Sequence, residues 1–144
     1  MTARRISLVS LVLGAMVLAT AWLHASMRAP AELDLSRTRL GARGVYRATI
    51  TPEPDTIRVG RMHAWTLHLE TPDGRPADAA TITVTGGMPQ HGHGLPTKPR
   101  VTRALGSGNH RVEGMKFNMR GWWTVTFAID AAAGADSVTF NLDL

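Results

Sequence analysis

Residues 61–70 read RMHAWTLHLE, and the alternation in that decapeptide decides the class of fold. Successive side chains of a strand point to opposite faces. His63, Trp65, Leu67 and Leu69 therefore share one face, and Met62, Ala64, Thr66 and His68 share the other. The first set is the one expected to face a core. Thr71-Pro72-Asp73-Gly74 follows as a tight turn, in which Pro presets φ and Gly supplies the permissive last position.

The same grammar extends outward from this strand. Upstream, Val45–Thr51 alternates in its second half and is stopped by Pro52, Pro54 and Asp55. Downstream come Ala80–Thr85 and, after a long loop over Gly86–Arg100, a short strand at Val101–Leu105. Further strands are expected at His110–Asn118, Trp122–Ile129 and Ser137–Leu142, with Gly121 and the run Asp130–Asp136 as breaks. Trp122 and Trp123 are consecutive, so they face opposite sides, and His68 and His110 read as solvated. Seven short strands in roughly 100 residues predict an all-β fold, an immunoglobulin-like antiparallel β-sandwich.

Composition agrees with one folded domain. The 144 residues are 44% apolar and 19% charged, without the low hydrophobicity of a disordered chain. The net charge of +5 is unevenly placed: residues 1–43 hold six Arg against Glu32 and Asp34, whereas residues 44–144 hold ten basic and nine acidic side chains. The domain is thus nearly neutral, and without a basic stripe interleaved with aromatics no nucleic-acid partner is expected. With no cysteine, neither disulfides nor thiolate metal sites arise.

The N-terminus carries an address. Arg4 and Arg5 precede the uncharged apolar run Ile6–Leu23, ISLVSLVLGAMVLATAWL, as in export signals. Such a run is expected as an N-terminal hydrophobic helix. A full span needs about 20 apolar residues and a cleavable core about 7–15, so this run stands nearer a retained anchor, and Trp22 suits the interfacial belt. Small residues at Ala19-Thr20-Ala21 and Ala25 leave cleavage open. In either case residues 1–27 form a signal peptide or membrane anchor. By the positive-inside rule the remainder is exported, to the periplasm or the extracytoplasmic face of the membrane. Residues 28–43, polar and containing Pro30 and Gly41, read as a linker, and residues 44–144 as the domain.

No serine-hydrolase, P-loop, dinucleotide or zincin pattern is present, so the expectation is a protein that is not an enzyme. Chemistry concentrates in the stretch GGMPQHGHGLPTKP, residues 86–99, where Met88, His91 and His93 stand among glycines and prolines. Imidazole binds Cu, Zn and Ni, and thioether favours Cu(I), so a mixed Met and His set outside the cytoplasm points first to copper. Met115, Met119, His63 and His110 are further candidates; Met88, His91, His93 and Met119 form one site if the strand before Met119 ends near the loop. The plainer alternative has the imidazoles pinning the loop to the sheet and the methionines filling core gaps.

The runs GGMPQHGHGLPTKPRVT and GNHRVEGMKFNMRGWWTVTFAI, with HAWTL at His63–Leu67, resemble the YtkA-like domain, which is related to the FixH group of membrane-anchored proteins. The resemblance spans about Gly44–Leu142 and implies an immunoglobulin-like sandwich outside the cytoplasm, with relatives tied to copper handling or respiratory oxidase assembly. The loop residues Met88, His91 and His93, together with Met119, carry that implication, and His63 joins them as a further ligand. Two functions are therefore expected: a copper-binding chaperone or assembly factor, or a metal-free module whose loop docks a membrane or periplasmic protein partner.

Overall fold

The computed structural model describes residues 32–144. The expected N-terminal helix, the signal or anchor at residues 1–27 and the first residues of the linker lie outside the described residues. Nine strands follow in chain order: β1 (Thr38–Leu40), β2 (Arg47–Glu53), β3 (Met62–Glu70), β4 (Thr81–Met88), β5 (His93–Gly94), β6 (Arg100–Gly106), β7 (Asn109–Lys116), β8 (Trp122–Ala131) and β9 (Gly134–Asp143). All pairings are antiparallel, in the order β1-β2-β3-β7-β6-β4-β8-β9, with β5 attached to β4. The described residues are all-β, and each of the seven strands read from the sequence is present.

The central decapeptide behaves as its alternation predicts: His63, Trp65, Leu67 and Leu69 are buried along β3. They meet Tyr46, Ala48 and Ile50 around β2, Val112 and Met115 on β7, Trp123–Ile129 on alternate positions of β8, and Val138, Phe140 and Leu142 on β9. Phe117 stacks on Trp65 at 6.1 Å and meets Trp123 edge-on at 5.3 Å, a geometry that adds to area burial. Each fully buried large apolar side chain contributes about 1.5–3 kcal/mol.

Four of the sequence expectations differ from the structure. Residues 38–40 belong to the sheet: β1 pairs with β2, Ala42 N–H donates to Ser137 O (2.8 Å), and Gly41 is buried. A three-residue strand is too short to show a period, so it passed as linker. Within the expected loop over residues 86–100, residues 86–95 form a hairpin, since β4 runs to Met88 and β5 returns along it. His110 is 1% exposed rather than solvated, and its Nε2–H donates to Ala77 O at 2.8 Å. The cause is a change of phase in β7, where His110 and Val112 are buried but so are Met115 and Phe117. Gly114, at φ +85°, absorbs the extra residue opposite the β3 irregularity at His63/Ala64.

β2 also passes through Pro52, which the sequence reading took as a stop. Ile50 N–H points to Arg37 O, so position 52 faces the same way, beyond the end of β1, where no N–H is required.

The ends of the strand path are tied by Asp136. Its buried carboxylate accepts backbone N–H groups from Arg43 (2.8 Å), Val45 (2.9 Å), Tyr46 (3.2 Å) and Ser137 (2.8 Å). Burial pushes its pKa up, but these four donors outweigh that and hold it below the ordinary carboxylate value.

Candidate functional site

The glycines of the GGMPQHGHG stretch are dictated by backbone proximity. A Cβ on Gly86 would stand 2.6 Å from Thr124 O, and one on Gly87 would stand 2.4 Å from His93 O. At Met88 the chain turns: His91 N–H and Gly92 N–H both donate to Met88 O, at 3.1 and 3.0 Å, and Gly92 adopts φ +64°. β5 then pairs Met88 with His93 and Gly87 with Gly94, and Leu95 N–H donates to Gly86 O at 3.0 Å. The stretch is a β-hairpin.

Directly paired residues of antiparallel strands present their side chains on the same face, with Cβ atoms about 4.5–5.5 Å apart. Met88 and His93 are such a pair. Met88 is 1% exposed, whereas His93 and His91 are exposed and their rings stack at 6.2 Å with 23° between planes. Met88 is thus covered by the core, while its register partner His93, together with His91, is open to solvent.

Met119 reaches the same place through the segment joining β7 to β8. Its carbonyl accepts Trp123 Nε1–H at 3.1 Å, and its half-buried side chain packs on the core. Gly121, at φ +116°, lies against Met88: a Cβ there would be 3.2 Å from the Met88 methyl. The C-terminal end of β4, the N-terminal end of β8 and the link before it therefore converge, which brings Met88, His91, His93 and Met119 to one end of the domain.

His63 lies at that end too, because β3 begins where β7 finishes, but it stands with Met115 across β3–β7 rather than with the hairpin. It is 4% exposed, and its Nε2 is 3.2 Å from Arg58 N and 3.0 Å from Arg58 O. One nitrogen is therefore engaged by backbone. Nδ1 is buried without a partner, as is Trp65 Nε1 two residues on. An unpaired buried polar atom costs about 1–3 kcal/mol.

Among the described residues no three His, Asp or Glu side chains gather in a group able to hold a metal ion. A site of three or more side-chain ligands here has to draw on methionine sulfur. Two thioethers with two imidazoles are a soft donor set that matches Cu(I) better than Zn or Mg.

The YtkA-like family profile matches residues 37–128. The chain belongs to the YtkA-like family. The matched stretch takes in β1, the hairpin of residues 86–95, Met119 and most of β8, so the YtkA-like unit includes the strand that passed as linker. No curated protein and no solved structure matches the chain.

Sequence reasoning found the hairpin residues and Met119 but not their supports. Gly121 was read as a strand break, and Arg58, whose backbone holds His63, carried no signal.

Proposed function

We propose that this YtkA-like chain is an exported, membrane-anchored copper-binding protein that acts in copper handling or respiratory oxidase assembly. The observation that carries the reading is the β4–β5 pairing of Met88 with His93, with His91 stacked beside it and Gly121, two residues from Met119, against the Met88 methyl. Bound copper would supply a one-electron centre or a cargo ion. The buried Met88 would fix one soft ligand while the exposed imidazoles, freer to move, exchange the ion with an acceptor. His63 stands apart from this set, beside Met115, and would bind an ion only through its unpaired Nδ1.

The fold reading is an immunoglobulin-like sandwich. It is supported by the order β2-β3-β7-β6 on one side and β4-β8-β9 on the other, which reproduces the four-plus-three strand arrangement of constant-type domains, and by the single pair Thr83↔Arg100 that joins the two groups. Export and anchoring rest on Arg4, Arg5 and the run Ile6–Leu23, and the tie to FixH-type membrane proteins rests on the YtkA-like resemblance of residues 44–142.

Titration of residues 32–144, which contain the whole core, with Cu(I) and with Cu(II) tests the reading. Saturable one-to-one binding is expected, lost in the variant carrying Met88→Leu, His91→Ala and His93→Ala. No binding by the folded wild type sinks it. The burial of Met88 favours a second reading, a metal-free module whose hairpin docks a protein partner; there the histidine substitutions change partner capture and leave metal content untouched.

A further inference from the structure

The end of the domain that holds the hairpin also gathers unpaired cations and exposed apolar side chains. The loop from β2 to β3 and the first residue of β3 present Arg58, Val59, Arg61 and Met62, all exposed, with Val59 and Met62 at 36% and 60%. Beside them, at the end of β7 and before β8, stand Lys116 and Arg120. Gly60 N–H donates to Phe117 O at 2.7 Å, which locks the two segments together. Among the described residues none of these four cations takes part in an ion pair. Of the acids at this end, Asp55 is paired with Arg37 and Asp34 with Arg39, which leaves Asp143 and, where the described chain begins, Glu32 as counterweights.

The described chain also enters the domain here. Leu35, 50% exposed, lines one cavity with Asp55, Thr56, Ile57 and the terminal Leu144, and Leu144 exchanges backbone hydrogen bonds with Gly121 (2.7 and 3.2 Å). Three of the five large apolar side chains exposed on the domain, Leu35, Val59 and Met62, thus sit at one end, the end at which the chain arrives from an apolar run that stops at Leu23. Eight residues, 24–31, separate that run from Glu32, and such a stretch reaches at most about 30 Å.

From this placement we infer that the Arg58–Met62 loop, with Lys116 and Arg120, is a docking surface for the anionic lipid face of a bilayer. Guanidinium and ammonium groups meet phosphate headgroups while Met62 and Val59 enter the boundary below them. Each cation near an anionic surface raises partition about fivefold, so four act together where one would be lost to thermal motion. The surface does not require that metal bind. It sets His91 and His93 toward the bilayer, where a membrane-embedded acceptor would meet them.

The test is co-sedimentation of residues 32–144, which lack the apolar run, with vesicles of phosphatidylcholine alone or mixed with phosphatidylglycerol. Binding to the mixed vesicles, released by molar salt and absent with phosphatidylcholine alone, is expected. Arg58→Gln with Arg61→Gln should weaken it about 25-fold, two fivefold losses, while Arg75→Gln with Arg103→Gln, the same charge change away from this end, should leave it near wild type. Thermal unfolding checks that both variants are folded. No binding, equal loss in both variants, or wild-type binding by the Arg58/Arg61 variant overturns the inference, and capture of a protein without lipid would reassign the surface.

Discussion

At Asp136 one carboxylate satisfies four backbone donors, and its replacement is the sharpest single-residue test of the fold. Asp136→Asn turns an amide NH2 against N–H groups and should cost about 2–4 kcal/mol, read as a lower urea midpoint. The sign of the pH effect follows from its depressed pKa. In the unfolded chain the group titrates near the ordinary value of about 3.9. Above that both states are ionised and the contribution is complete; as pH falls toward the folded value the unfolded state binds the proton first and the contribution drains away. The gap between wild type and Asp136→Asn should therefore be widest at neutral pH and shrink as pH falls below the ordinary carboxylate value of about 4; a gap that stays constant contradicts it. Trp65, Leu67 and Leu69 were legible in the sequence because a period of two reports burial directly. Asp136 was not, because donors such as Arg43 and Val45 lie about 90 residues away in the chain and are backbone groups that any residue type supplies.

Among the elements, β5 is the least supported and β8 the best. β5 is two exposed residues held by pairing to β4, whereas β8 lies between β4 and β9 with alternate side chains in the core. Amide exchange should show β5 opening at a small fraction of the free energy that protects the centre of β8; equal protection would mean that the hairpin is part of the global unit. Gly87→Ala should detach β5, since its Cβ would fall 2.4 Å from His93 O. Loss of protection in residues 88–95 is expected with a fall of about 1–3 kcal/mol in stability. Long strands announced themselves by alternation and turn residues. β1 and β5 did not, because at three and two residues only their partners define them.

For the molecule as a whole, Met88, His91, His93 and Met119 gather at the end of the domain where the described chain begins. The types of ligand were legible in the sequence, as thioether and imidazole among glycines, but their company was not. Antiparallel pairing alone decides that the end of β4, the start of β3 and the start of β8 coincide, and the β4–β5 register sets Met88 against His93. His63 shows the cost of reading types without partners, since Arg58 backbone occupies one of its nitrogens. The most direct test is a Cu(I) titration of residues 32–144 followed by NMR of methionine methyl and histidine ring signals. The account predicts that Met88, Met119, His91 and His93 shift together and stop at one equivalent, while exposed Met62 does not move. Signals that stay fixed, or that drift without saturating and take Met62 with them, contradict it.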